Sequence, residues 1–120
     1  MSNTCIMRRV FEEVWNGHKL DLIEETHAEG FVWHGPLAPG VFQGRGAYRA
    51  FVSGAIAASP DIRFAVADEI VVGDKEIIRW TNSGTHTGAF ADFPPTGNKM
   101  ENAGISIVRI EGGKIAEEWM

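Results

Sequence analysis

The chain contains a single cysteine, Cys5, and so can form no internal disulfide bond. No segment approaches the roughly 20 consecutive apolar residues needed to cross a bilayer, and no apolar run follows a basic start. The 11 Lys and Arg residues are scattered and outnumbered by 16 Asp and Glu residues, which argues against nucleic acid as the main partner. We therefore expect a cytoplasmic protein that binds neither nucleic acid nor membrane.

Short motifs for several common chemistries are also absent. The sequence has no Gly-x-Gly-x-x-Gly or phosphate-binding loop, no Gly-x-Ser-x-Gly nucleophile elbow, and no Cys-x-x-Cys or His-x-x-x-His metal pair. We therefore expect no cofactor and no metal. The remaining composition is ordinary, with 44% hydrophobic residues in a chain of 120, and it predicts a single domain over residues 1–120 with one core.

The hydrophobic pattern changes halfway along the chain. The first half shows helical spacing and the second half shows the two-residue period of strands, with hairpin turn signals at Gly73-Asp74 and Gly112-Gly113. Helices are predicted over about 4–16, 19–27 and 46–58, a short strand at 31–34, a loop at 37–43, and strands at 62–72 with a bend, 76–87, 98–110 and 114–120. This order predicts an α+β fold, with three helices on one face of a strongly curved antiparallel sheet.

Several segments of the sequence, taken with this order of elements, resemble the SnoaL-like polyketide cyclase family of the nuclear-transport-factor-2-like superfamily. The matching segments are Phe31-Val32-Trp33-His34-Gly35-Pro36, Gly44-Arg45-Gly46, Arg79-Trp80 through Gly88, Phe93-Pro94-Pro95-Thr96-Gly97, and Gly113-Lys114-Ile115 through Trp119. The resemblance implies a cone with an apolar cavity and pairing through the sheet face. It also implies activities such as aldol cyclisation, ketosteroid isomerisation, epoxide hydrolysis or dehydration, among which the fold alone does not choose.

The catalytic carboxyl groups of the resembling families do not carry over to this chain. The acid–base aspartate of the cyclases falls at Met120, whose thioether transfers no proton, and the oxyanion-hole acid of the isomerases falls at Ser106. The isomerase base precedes a proline after the second helix, where this chain has His34. An imidazole titrates near neutral pH and suits that role, although His34 is otherwise explained as a hydrogen-bonded structural group.

His86 and Glu118 complete the predicted catalytic set. His86 either orients His34 or polarises a substrate oxygen, or else it holds the loop that follows it. Glu118 is predicted to face inward and Glu117 outward, because neighbours on a strand point to opposite faces. In an apolar cavity, Glu118 would have a raised pKa and act as acid or base; the alternative is a salt bridge with Arg79 or Arg109.

The predicted substrate-binding residues combine an apolar wall with a few polar groups. Asn102 and Ser106 are candidate hydrogen-bond donors to a carbonyl group. The wall is assigned to Trp33, Trp80, Phe93, Trp119 and Met120, although each aromatic residue is equally explained by the core. The remaining histidines, His18 and His27, are interpreted as solvated or capping groups at helix ends.

Two kinds of function remain open from the sequence. The first is a cofactor-free lyase, isomerase or cyclase that uses proton transfer on a small hydrophobic carbonyl compound. The second is a non-catalytic small-molecule-binding or dimerisation module; epoxide hydrolysis is a weaker third, because no Asp-Arg-Asp arrangement can be assembled. In each case a sheet face with Phe64, Val66, Ile77 and Ile107 would be too apolar for water, which predicts a homodimer.

Overall fold

The computed structural model describes residues 5–35, 41–88 and 96–120. The first helical region is a turn of α-helix, α1 (Ile6–Arg9), that continues as a π-helical segment (Val10–Trp15). A 3₁₀ turn (Leu20–Leu22) leads into α2 (Ile23–Thr26), and α3 spans Arg45–Ala58. The three predicted helical regions are thus confirmed. In the described ranges, no helix is long and apolar enough to cross a membrane.

Six strands form one curved, unclosed sheet, and the α+β prediction is confirmed. Their order across the sheet is β2-β1-β6-β5-β4-β3. The strands are β1 (His27–His34), β2 (Val41–Gln43), β3 (Arg63–Val72), β4 (Lys75–Thr85), β5 (Lys99–Glu111) and β6 (Lys114–Trp119). The predicted bend is a register shift between Val66 and Asp68. The loop prediction is wrong at residues 41–43, which pair with β1, and its residues 37–40 lie outside the described ranges.

One strand pair departs from the antiparallel arrangement expected from the sequence. β1 runs parallel to β6, with Trp33 opposite Glu118, whereas the other described pairs are antiparallel. Hairpin turns join β3 to β4 and β5 to β6, and a hairpin can only make an antiparallel pair. β1 and β6 come from opposite ends of the chain, so no short turn constrains their relative direction.

The helices cover the concave face of the sheet, and the core lies between them. Phe11 of the π-helical segment stacks on Phe64 of β3 with ring centroids 4.6 Å apart. Tyr48 and Val52 of α3 are also buried against the sheet. Phe64 is only 6% exposed, so its predicted place on an outer face is wrong. Burial of these large apolar side chains is the main force that holds the helices on the sheet.

The convex face of the sheet carries exposed apolar side chains. Ile105 and Ile107 of β5 are 55% and 39% exposed, and Ile70 and Val72 of β3 are more than half exposed. Ile77 of β4 lies opposite both Ile70 and Ile107 in the strand register. The two faces therefore differ: the concave face builds the core, and the convex face exposes apolar side chains.

Candidate functional site

Strand register assigns the predicted site residues to two different faces. Trp33 of β1 lies opposite Glu118 of β6, and both side chains are buried on the concave face, at 1% and 0% exposure. One position further, His34 lies opposite Trp119, and both are substantially exposed on the convex face. Because successive strand residues alternate between faces, a group on one face cannot act with a group on the other. The sheet thus separates His34 from Glu118.

Glu118 is a fully buried carboxyl group without a cationic partner in the described residues. Burial raises its pKa to about 7, an effect that the neighbouring Ser106 hydroxyl and Trp33 indole partly oppose. Both donors lie near the carboxyl group, but neither makes a hydrogen bond of ordinary geometry to it. A pKa in this range suits an acid–base group at neutral pH.

The expected alternative, a salt bridge from Glu118 to a neighbouring arginine, does not occur. Arg109 pairs with Glu117 on the convex face, and Arg79 pairs with Asp68. Hydrogen bonds from His34 and Arg109 hold the pKa of Glu117 below its ordinary value. The two adjacent glutamates therefore have opposite electrostatic environments, with Glu117 stabilised as an anion and Glu118 favoured in its neutral form.

Ser106 is held beside Glu118 by Trp80. The Trp80 Nε1–H donates to Ser106 Oγ at 3.0 Å, and both side chains are buried. Gly104 makes room for this indole, because a Cβ at that position would lie 2.6 Å from the Trp80 ring. Since Ser106 Oγ accepts from Trp80, its own proton is free to favour the ionised form of Glu118. Ser106 and Trp80 thus join Glu118 and Trp33 in one buried polar cluster on the concave face.

A second buried polar group, His27, was missed from the sequence. His27 is 0% exposed, so its interpretation as a solvated or capping residue is wrong. Its ring packs on Phe31 at 4.7 Å and on Tyr48 at 4.5 Å between centroids. Burial lowers the pKa of His27 to about 3, and the charge of Arg45 adds to this effect. The available sequence signal was the spacing of four residues between His27 and Phe31, which puts both on one face of an extended strand.

Tyr48 of α3 packs on His27 in the core. Its hydroxyl oxygen accepts a hydrogen bond of 3.3 Å from Trp15 Nε1, which the π-helical segment directs into the core. Burial raises the pKa of Tyr48, and the charge of Glu118 raises it further. The phenol therefore stays neutral and can donate its own proton.

The convex-face residues form a separate cluster. His34 Nε2 lies 2.7 Å from Glu117 Oε2, and the His34 ring stacks on Trp119 with centroids 5.5 Å apart and planes 5° from parallel. Trp119 is 36% exposed, so it does not line the concave interior as predicted. Met120 is partly buried and packs against the core, and its backbone N–H donates to the His34 carbonyl oxygen at 2.9 Å.

The remaining predicted site residues lie far from Glu118 or outside the described ranges. His86 follows β4, and its Nδ1 is 3.2 Å from Thr96 Oγ1, an arrangement that fits the loop-holding alternative. Asn102 is exposed and lines a surface groove of about 490 Å³ with Asn82. Phe93 belongs to residues 89–95, outside the described ranges. Within those ranges, no three His, Cys, Asp or Glu side chains are grouped as metal ligands.

Comparison with known proteins gives one consistent family. The family model described as SnoaL-like polyketide cyclase matches residues 5–120. A candidate SnoaL-like polyketide cyclase from Jannaschia sp. CCS1 is similar, with 22% identity, a TM-score of 0.85, and coverage of 95% of this chain and 80% of that one. IdmH, a candidate polyketide cyclase from Streptomyces antibioticus, has 26% identity and a TM-score of 0.79, with coverage of 95% and 86%.

A third solved structure is linked to a different reaction. AclR, a candidate hydroxylase from Streptomyces galilaeus, has 22% identity and a TM-score of 0.77, with coverage of 95% of this chain and 70% of that one. No curated protein matches the chain. The structures at 22% identity support the fold alone.

Proposed function

The chain belongs to the SnoaL-like polyketide cyclase family, and on that basis we propose that it is a cofactor-free enzyme that transfers a proton on a small hydrophobic carbonyl compound. Glu118 is the acid–base group in this proposal. The observation that carries it is a carboxyl group that is fully buried on the concave face, lacks a cationic partner among the described residues, and has its pKa raised to about 7. Such a group can give or take a proton at neutral pH, and a positioned acid or base typically contributes about 10²–10⁴-fold in rate.

The surroundings of Glu118 support both halves of a proton-transfer cycle. In its neutral form the carboxyl group donates a hydrogen bond to a substrate carbonyl oxygen, and in its ionised form it removes a proton from the carbon next to that carbonyl. Ser106 and Trp33 favour the ionised form, so they stabilise the state that exists after Glu118 has given up its proton. The apolar side chains around the cluster exclude water, which strengthens these interactions.

His34 is not assigned to the chemistry in this proposal. It lies on the convex face, where it pairs with Glu117 rather than with a group near Glu118. Its neighbour Trp33 occupies the concave position instead. The acid–base role predicted for His34 therefore passes to Glu118. Ser106, predicted to donate to a substrate carbonyl group, instead directs its hydroxyl group at Glu118 in this proposal.

A binding or dimerisation module without chemistry is the second candidate. It is favoured by the tight enclosure of Glu118, whose carboxyl oxygens have almost no accessible surface. The described interior is occupied by large side chains such as Phe31, Trp33 and Ile78, each at 1% exposure or less. An enzyme of this form must open its interior to admit a substrate, whereas a structural module need not.

The test begins with a thermal-shift screen of the purified protein against steroids, polyketide methyl esters, terpene epoxides and fatty acids. A ligand at about 100 times its dissociation constant adds roughly 2.7 kcal/mol to the free energy of unfolding, which is readily seen. Turnover of any hit is then compared in wild type, Glu118→Gln and Glu117→Gln. We expect Glu118→Gln to lose about 10²-fold or more and Glu117→Gln, on the opposite face, to retain activity. Equal activity of the two variants would contradict the assignment.

A further inference from the structure

His27 is held in one tautomer by its neighbours. The Thr26 hydroxyl has one proton, and Thr26 Oγ1 donates it to the Leu22 carbonyl oxygen at 2.9 Å. We therefore assign the imidazole proton to Nδ1, which donates to Thr26 Oγ1 across the 2.9 Å contact between them. Because burial keeps the ring neutral, Nε2 carries no proton and presents a lone pair. This nitrogen is buried and accepts no hydrogen bond in the described part of the chain.

The lone pair of His27 Nε2 lies in the same interior as Glu118. His27 is paired with Ile115 of β6, and Glu118 is three positions further along that strand. A register shift between these two points interrupts the alternation of faces, and both side chains are buried. At a rise of about 3.3 Å per residue, the two positions are separated by roughly 10 Å along the strand. Phe31 and Tyr48 contact the ring of His27 and belong to the same core cluster as Trp33, the strand partner of Glu118. One continuous buried region therefore joins the two groups.

We propose that His27 is a specificity-determining residue that accepts a hydrogen bond from a ligand hydroxyl group at Nε2. The proposal names the substrate class for the site described above, and in that respect it rests on the proposed function. The ligand is an elongated apolar molecule with a carbonyl group near Glu118 and a hydroxyl group near His27. A site with an unpaired acceptor discriminates against an analogue that lacks the matching donor, because that analogue leaves the acceptor buried and unpaired.

The acceptor role is selective because the tautomer is fixed. A ligand carbonyl cannot take the place of the hydroxyl, since two acceptors would then face each other. The ring neighbours of His27, Phe31 and Tyr48, provide flat apolar surfaces against which a fused-ring ligand can pack. His27 is fully enclosed, so binding requires a local opening of this packing.

The test uses a matched pair of probes, tetralone and a hydroxytetralone with its hydroxyl group on the aromatic ring. We expect wild type to bind the hydroxytetralone about tenfold or more tightly than tetralone by calorimetry. His27→Phe, which keeps a flat ring and removes the acceptor, should bind both probes with similar affinity, and His27→Gln should recover part of the preference. Three results would each overturn the proposal. The hydroxyl preference could survive in His27→Phe, it could be absent from wild type, or folded wild type could fail to bind either probe.

Nitrogen NMR of the wild-type imidazole gives a second readout that does not depend on the variants folding. In the free protein, His27 Nε2 should show the resonance of an unprotonated nitrogen, and hydroxytetralone but not tetralone should shift it. A protonated Nε2, or an equal response to both probes, contradicts the proposal. Glu118→Gln distinguishes this proposal from the proposed function. The variant should lose about 10²-fold or more in turnover and keep the hydroxyl preference. Unchanged turnover in Glu118→Gln would reject the catalytic role alone.

Discussion

His34 and Glu118 occupy opposite faces of one sheet, although both are candidate acid–base residues in the sequence. Register fixes this separation, since Trp33 is opposite Glu118 and His34 is opposite Trp119. The exposed member, His34, is paired with Glu117, and the buried member is left without a cation in the described residues. A carboxyl group enclosed in this way is destabilised when it ionises, and that destabilisation is what raises its pKa into the useful range.

The first prediction concerns the pH dependence of stability. The pKa of Glu118 rises from 4.5 to about 7 on folding. Ionisation of the buried carboxyl group therefore does not reduce the unfolding free energy below about pH 4.5, and it reduces that free energy fully above about pH 7. Wild type should therefore lose about 3 kcal/mol of unfolding free energy across this window from Glu118 alone. Urea unfolding of wild type and Glu118→Gln at several pH values measures it. The unfolding free energy of Glu118→Gln relative to that of wild type should increase as pH rises. A difference that does not depend on pH would show that folding does not raise the pKa of Glu118.

The second prediction concerns the attachment of α1 to the sheet. The Glu76 carboxylate of β4 accepts hydrogen bonds from the backbone N–H groups of Ile6 and Met7 and from Cys5 Sγ, at 2.9–3.0 Å. Glu76→Gln removes the charge and should cost about 1–3 kcal/mol in unfolding free energy, because buried donors lose a charged acceptor. Urea unfolding tests this, with Glu69→Gln as the control.

Glu69 is a suitable control because its partner, Arg8, lies on the same helix but at the surface. An exposed ion pair contributes little, so this variant should change stability by less than about 1 kcal/mol.

Alkylation of Cys5 gives a second readout. Burial and the Glu76 hydrogen bond raise the pKa of Cys5 to about 12, and the thiol should react faster in Glu76→Gln than in wild type. Equal stability and equal alkylation in both variants would mean that Glu76 does not anchor the helix.

The third prediction concerns Gly104, where the Trp80 indole lies directly on the backbone. A methyl group there would come within 2.6 Å of the ring and push it away from Ser106. Gly104→Ala should therefore lose about 1–3 kcal/mol of stability and change tryptophan fluorescence. Gly54→Ala in α3 is the matched control, since nothing lies near its added carbon, and it should gain about 0.5–1 kcal/mol. Similar effects at both positions would show that Trp80 has room to move.

The fourth prediction concerns the convex face. We expect two copies of the chain to pair there, because Ile105, Ile107 and Trp119 leave a broad apolar surface exposed. Ile107→Glu places a charge at the centre of this surface and should convert a dimer to a monomer in sedimentation experiments. Ile70→Glu, near the edge strand, should weaken pairing less. A wild-type protein that is monomeric at high concentration would contradict the expectation.

Much of the fold was accessible from the sequence because local signals agreed with the tertiary structure. Helical spacing located α3, and the Gly73-Asp74 and Gly112-Gly113 turns fixed the two hairpins, which together contain four antiparallel strands. The parallel pairing of β1 with β6 was not accessible, because no local pattern links the two ends of the chain. β2 was missed because three residues are too short to show a period.

For the candidate site, the sequence predicted the face that a side chain occupies only where the alternation along a single strand determines it. Alternation correctly placed Glu118 inward and Glu117 outward. It could not relate His34 to Glu118, because their faces depend on the register between two distant strands. His27 was missed for a similar reason, because it is buried by contact with Tyr48 of α3, which is distant from it in the sequence. Contacts between distant elements, rather than local pattern, complete this site.

The central claim is that Glu118 exchanges a proton near neutral pH, and carbon NMR of glutamate-labelled protein measures this directly. Titration of wild type should show one carboxyl resonance with an apparent pKa near 7, while the resonance of Glu117 titrates below the ordinary glutamate range. The high-pKa resonance should disappear in Glu118→Gln and persist in Glu117→Gln. If every glutamate of the wild-type protein titrated in the ordinary range or below it, Glu118 would be ionised at neutral pH and the proposed acid–base role would fail.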